Sequence, residues 1–201
     1  MNFIGFYNYT VILTYLSLVS SLMGMVCAYR GEFGLAVGCL AVSGICDMFD
    51  GIVARTKKDR TADEKNFGIQ LDSLCDIVCF GVFPAVILYF WGVRQAHGLA
   101  VLVFYVLCAL IRLAFFNVLE TKRQMVESGI SKGYRGLPVT TAAIIFPLVF
   151  LIDAMLPRGI VLAVYYFLPL VVGFLFILDF HVPKIDFVKL VQREGARTTA
   201  R

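Results

Sequence analysis

Four aspartates carry the chemistry that this sequence can offer. Asp47 and Asp50 stand three apart in "CDMFDGIVAR", and Asp72 and Asp76 stand four apart in "GIQLDSLCD". Helical positions three and four apart share a face. Asp47, Asp50, Gly51 and Ala54 therefore form one stripe, and Gly68, Asp72 and Asp76 form a second. A short charged connection joins them, so the stripes can meet on neighbouring antiparallel helices. Carboxylates crowded in this way repel one another and lose hydration, a cost that divalent cations offset best. Oxygen-only ligands point to Mg²⁺, Mn²⁺ or Ca²⁺ rather than zinc. Four carboxylates can hold two such ions, an arrangement that clamps a phosphoryl group during displacement. The competing reading is salt bridging to Arg55 and Arg112, but two cations do not neutralise four anions. Gly51, Ala54 and Gly68 read either as packing residues or as room for a bulky ligand.

The elements that must position these residues are membrane helices. The chain has 201 residues and is 60% hydrophobic, with mean hydropathy +0.83; a soluble domain is roughly half apolar. Apolar runs near the roughly 20 residues of a spanning helix predict an all-α, six-span polytopic domain. The expected spans are 10–29, 33–55, 68–93, 97–119, 137–156 and 159–180. Residues 1–182 then make the catalytic domain, opening with a short interfacial segment that holds Phe3, Phe6, Tyr7 and Tyr9. Residues 183–201 make a tail, either laid on the membrane surface or disordered. The start lacks a basic stretch before its apolar residues, so no cleaved signal peptide is expected. Neither an internal repeat nor a low-complexity segment is visible.

Fourteen basic residues fall on one set of loops and the tail, against Arg30, Arg94 and Arg158 on the other, with Arg112 inside a span. The positive-inside rule then puts both termini in the cytoplasm, with the aspartates near the cytoplasmic ends of their spans. The net charge of +4 follows from this topology and from anionic headgroups. Without a soluble basic domain, nucleic acid is not an expected partner. The six cysteines all lie in apolar runs and none forms a CxxC pair, so they read as reduced packing thiols.

The run Asp47-x2-Asp50-Gly51-x2-Ala54-Arg55, followed by Gly68-x3-Asp72-x3-Asp76, resembles the signature of the CDP-alcohol phosphatidyltransferase family. The resemblance covers the whole chain. It implies a six-span membrane fold, a homodimer, and transfer of a phosphatidyl group from a CDP-linked lipid to an alcohol, with release of CMP. It implies that Asp47, Asp50, Asp72 and Asp76 hold divalent metals, Mg²⁺ or Mn²⁺, and that Asp76 is also the general base. It further implies that Asp50, Gly51, Ala54, Arg55 and Gly68 line the CDP and diphosphate site. One departure stands out. The twelve residues from Thr56 to Phe67 exceed the family spacing, and the surplus in "TKKDRTADEKN" is expected to lengthen the loop without moving either aspartate stripe.

Three stretches bear on the acceptor. "LDSLCDIVCFGVFPA", Leu71 to Ala85, resembles the DSxxDxxxFGxxPA run of bacterial phosphatidylserine synthases in this family. "RLAFFN", Arg112 to Asn117, resembles their RLARFN, with Phe115 in place of a second arginine. "YRGLPVTTAA", Tyr134 to Ala143, resembles their FxGLPxPxAA, with Thr140 where proline is common. The resemblance implies CDP-diacylglycerol as donor and L-serine as acceptor. Glycerol 3-phosphate, inositol phosphate and archaetidylserine synthesis stay open as alternatives. Arg112 or Arg135 can grip the serine carboxylate through a planar fork. Arg112 can equally bind a lipid phosphate or pair with the aspartates, and Arg135 can simply set topology. Asn117 can contact substrate or bridge helices. Pro84 is expected to kink the third span. A cation transporter is the reading from another class; such proteins often carry inverted repeats and midplane helix breaks, but no repeat is seen here and the aspartates lie toward one face.

Overall fold

The structure is a computed structural model and describes residues 5–57, 59–125, 134–153, 155–179 and 181–182. The expected tail, 183–201, and Phe3 lie outside the described residues.

The first helix, α1 (Ile12–Tyr29), is built inside out. Its buried residues are Thr14, Ser17, Ser21, Gly24 and Ala28, while Ile12, Leu16, Val19, Met23 and Val26 face outward. That inversion suits a helix whose solvent is lipid: large apolar side chains meet acyl chains, and small residues let helices approach. Gly24 shows how closely. A Cβ there would stand 2.2 Å from Phe83 Cζ and 2.8 Å from Cys39 Cβ.

The remaining described helices are α2 (Phe33–Thr56), α3 (Ala62–Asp76), α4 (Phe83–Trp91), α5 (Ala96–Met125), α6 (Ala142–Asp153) and α7 (Arg158–Ile177). A two-residue strand pair, Tyr134–Arg135 with His181–Val182, ties the segment before α6 to the segment after α7. α1 lies along α2 and also touches α3 and α4, α5 lies along α7, and α6 packs on α2. The core at their crossing holds Leu40, Phe80, Phe83, Leu88, Tyr105, Ala142 and Phe176. The six cysteines, all among the described residues, are free thiols.

Among the described residues, five helices are long and apolar enough to cross a membrane: Tyr9–Tyr29, Phe33–Ala54, Ala62–Trp91, Ala96–Thr121 and Gly159–Ile177. The chain is thus an all-helical, multi-pass membrane protein. The expected fifth span, 137–156, is instead the shorter apolar helix Val139–Asp153. Pro138 precedes its opening 3₁₀ turn (Val139–Thr141), and Pro157 starts the next helix, so the sequence clips it at both ends.

The third span begins earlier than expected, at Ala62. Thr61 and Glu64 form a capping box, with Glu64 N donating to Thr61 Oγ1 at 3.2 Å and Thr61 N to Glu64 Oε2 at 2.9 Å. The surplus residues after Arg55 therefore do not all lengthen the loop. α2 ends at Thr56, and residues 62–67 wind into the first turns of α3.

The same span carries a π-helical turn over Ile77–Val82, directly after Asp76. Pro84 lies just beyond it and has no N–H to give the carbonyl four residues back. That carbonyl belongs to Phe80, and Tyr105 Oη of α5 donates to it at 2.5 Å. Tyr105 and Phe80 are both fully buried, so the bond stands in for the missing helical one. Replacing Tyr105 by Phe removes this buried donor from the Phe80 carbonyl, at a cost of about 1–3 kcal/mol. The check is the thermal midpoint of the purified protein in detergent. A fall is expected, and an unchanged midpoint would show that the bond is dispensable.

Candidate active site at the aspartate cluster

Three helices bring the carboxylates together. Ser17 and Ser43 hydroxyls lie 2.6 Å apart, Ser21 Oγ donates to Ser43 Oγ at 3.0 Å, and Ser20 Oγ donates to Cys39 O at 2.9 Å. This polar seam sets the register of α2 against α1. One step further along it, Thr14 Oγ1 donates to Asp50 Oδ2 at 3.0 Å. Asp50 is thereby held in one rotamer facing α3.

Across the gap, the carboxylates of α3 meet those of α2 pairwise, Asp76 with Asp47 and Asp72 with Asp50. Carboxylate oxygens of Asp47, Asp50 and Asp72 all lie within 4.8 Å of one another. Asp50 and Asp76 are 8% exposed, whereas Asp47 and Asp72 are half-buried. The donor set is hard oxygen throughout, and such oxygens repel unless a cation or proton lies between them. This set fits a hard divalent cation.

The aspartates form one part of the wall of a cavity of about 220 Å³. Its other lining residues are Arg112, Leu113, Phe116, Pro138, Val139 and Thr140. Arg112 is 8% exposed and donates Nε to Leu137 O at 3.3 Å. Gly136 makes that contact possible. Its φ of +70° is open to glycine, and a Cβ there would stand 2.9 Å from Leu178 O. The chain can therefore lie flat against the end of α7, with Leu137 O presented to Arg112.

The other residues singled out by sequence fall at the rim. Gly51 has nothing within 4 Å of a would-be Cβ, and Ala54 is half-buried one turn beyond Asp50. Gly68, one turn before Asp72, is covered by Arg60. Asn117 ties α5 to α3, accepting at Oδ1 from Ser73 Oγ at 2.7 Å and donating Nδ2 to Gln70 Oε1 at 3.4 Å. The side chains of Arg55 and Arg135 lie outside the described residues.

The sequence reading missed Thr14, Phe116 and Arg60. Thr14 had a signal, since Thr10, Thr14, Ser17 and Ser21 recur at helical spacing in an otherwise apolar run. Phe116 and Arg60 had none, because contacts across elements decide their places.

The family model for CDP-alcohol phosphatidyltransferase matches residues 7–177. The chain belongs to that family. It is 30% identical over 171 residues to a CDP-diacylglycerol–serine O-phosphatidyltransferase of Methanocaldococcus jannaschii, covering 85% of this chain and 72% of that protein. A protein of the same name from Helicobacter pylori is 33% identical over 149 residues, covering 73% of this chain and 59% of its own. Another from Saccharomyces cerevisiae is 42% identical over 100 residues, covering 49% and 35%. The chain thus spans between about a third and three-quarters of the length of these relatives. Family members use divalent metals, and the aspartate cluster is where this chain can hold one.

Removing a ligand should show directly in metal binding. Partners that merely orient a ligand contribute roughly 10–100-fold in affinity, so Asp72→Asn should weaken Mn²⁺ binding by at least about tenfold. Thr14→Val, which frees Asp50 to rotate, should weaken it by about tenfold. Mn²⁺ titration followed by electron paramagnetic resonance checks both. Wild-type affinity in Asp72→Asn would move the metal elsewhere.

Proposed function

We propose that this protein transfers the phosphatidyl group of CDP-diacylglycerol to L-serine, giving phosphatidylserine and CMP. The observation that carries the reading is the convergence of Asp47, Asp50, Asp72 and Asp76 on one cavity with a buried arginine and apolar walls. A donor that joins a diphosphate to acyl chains needs both surfaces. The names of the relatives and the runs "LDSLCDIVCFGVFPA" and "YRGLPVTTAA" support serine as acceptor.

In the reaction the serine hydroxyl attacks the lipid-side phosphorus of the diphosphate. A new P–O bond forms, the anhydride bond breaks, and CMP leaves with that electron pair. Asp76 takes the hydroxyl proton. It is the more buried partner of its pair with Asp47, and a positioned base contributes roughly 10²–10⁴-fold. The four aspartates would hold two ions, Mg²⁺ or Mn²⁺, which when bound would supply charge neutralisation for the diphosphate and the departing CMP. Gly51 and Ala54 leave room beside the diphosphate, with Arg55 as a phosphate ligand and Gly68 beside the nucleotide. Arg112 binds the serine carboxylate from the cavity wall, its plane fixed by the bond to Leu137 O; Asn117 and Arg135 support that side.

The excess of basic residues on one set of loops supports a cell-membrane protein with both termini and the active site at the cytoplasmic face. The 1–182 unit is the catalytic domain, and 183–201 is a cytoplasmic tail. The protein acts as a homodimer in the membrane.

Purified protein given CDP-diacylglycerol, Mn²⁺ or Mg²⁺ and a panel of alcohols should release CMP in dependence on L-serine. Release with glycerol 3-phosphate alone would overturn the acceptor. Asp76→Asn should lower kcat by roughly 10²–10⁴-fold at Mn²⁺ concentrations that saturate the variant. An unchanged kcat would remove Asp76 from the role of base.

A further inference from the structure

The longer connection after Arg55 brings a cation against Ala54 and Gly68, each one helical turn from an aspartate. Arg60 lies between the end of α2 and the start of α3, and its guanidinium reaches back between the two helices. Nη1 donates to Ala54 O at 3.4 Å and Nη2 to Glu64 O at 3.2 Å. Nε is shielded from solvent and has no hydrogen-bond partner. Nη2 lies 2.6 Å from where a Cβ on Gly68 would stand, so the space that glycine leaves is where the guanidinium rests.

The position relative to the carboxylates follows from helical rise. Ala54 stands four residues beyond Asp50, and Gly68 stands four residues before Asp72. At about 1.5 Å per residue, each is about 6 Å from its aspartate along the helix axis. Arg60 is therefore one turn outside the metal-fitting oxygens, on the side from which a polar headgroup must come.

The partners of Arg60 are poorly matched to its charge. Two long bonds to neutral carbonyls and one unpartnered, shielded N–H leave a guanidinium suited to an anion with several oxygens. The nearby carboxylate of Glu64 is otherwise engaged, by Lys57 Nζ at 2.9 Å and by Thr61 N at 2.9 Å. That clasp closes the loop and sets the place of Arg60 while leaving its charge for another partner.

We propose that Arg60 is a phosphate-binding residue of the nucleotide-linked substrate. Its guanidinium takes the outer, nucleotide-side phosphate, while the inner end of the diphosphate faces the aspartates. The proposal rests on the reading of the donor as CDP-diacylglycerol and adds a contact from a loop longer than the family spacing.

The test uses the whole chain in detergent–lipid micelles, with CDP-diacylglycerol varied at saturating L-serine. Arg60→Gln keeps an amide donor for the Ala54 carbonyl and removes the charge, so it separates phosphate binding from capping of α2. It should raise KM for CDP-diacylglycerol roughly ten- to hundredfold. KM for L-serine and the thermal midpoint should stay at their wild-type values. Arg60→Lys should lie between wild type and Arg60→Gln. An unchanged KM for CDP-diacylglycerol in Arg60→Gln, or a loss seen only in the midpoint, overturns the proposal. If the wild type releases no CMP with any acceptor, the functional reading fails on its own account. Calorimetric titration with CDP then decides Arg60 separately, and equal affinities for wild type and Arg60→Gln would sink it.

Discussion

Everything in this fold answers to one electrostatic demand: four carboxylates must be held face to face within an apolar body. An aspartate at mid-span costs about 2.5–3.5 kcal/mol on insertion scales, and mutual repulsion adds to that. Left to themselves, the side chains would turn apart. Helix α1 resists this by serving as a common spine for α2 and α3. Its serines lock the register of α2, and Thr14 holds Asp50 directly. The cluster is thus pre-set before any cation binds, so less reorganisation is needed when one does.

The second device lies beneath the cluster. A π-helical turn directly follows Asp76, and such turns collect at functional sites. Here it eases a proline into a buried span. Tyr105 repairs the hydrogen bond that Pro84 cannot make, and Phe80, Phe83 and Tyr105 pack around the repair. Asp76 therefore stands on a segment held from α5 as well as from α1. In the proposed reaction, where Asp76 is the base, such support would hold it at hydrogen-bond distance from the hydroxyl.

How much of this was legible beforehand depends on whether the information is local. The aspartate stripes were legible because spacings of three and four map directly onto a helix face. The spans were legible from run length, except the fifth. There, prolines at 138 and 157 cut an apolar stretch that composition alone would extend. The start of α3 was misjudged because hydropathy ignores capping. Thr61 and Glu64 sit in a charged run that resembles a loop, yet their reciprocal bonds begin a helix. Asn117, which sequence left between two roles, ties α5 to α3. Arg60 was illegible because its place depends on Ala54, Glu64 and Gly68 at once, residues spread over two helices.

The extra residues after Arg55 show why such a site tolerates change at its rim. The positions of Asp50 and Asp72 are set by packing of α2 and α3 against α1, not by the chain that joins them. Added residues can therefore extend α3 outward and widen the turn with little effect on the cluster. Loop-closure entropy rises only slowly with length, so the cost of a few more residues is small. The rim then becomes the cheapest place to gain a new contact. A clasp between Lys57 and Glu64 closes the widened turn, Tyr9 and Thr56 hydroxyls meet at 3.1 Å, and Phe6 packs edge-on against Phe67. These contacts order the loop without using the guanidinium of Arg60. Among the described contacts, the guanidinium of Arg60 is left with two neutral carbonyl partners, one from α2 and one from α3, which is why the loop rather than the helices is where the proposed phosphate contact arises.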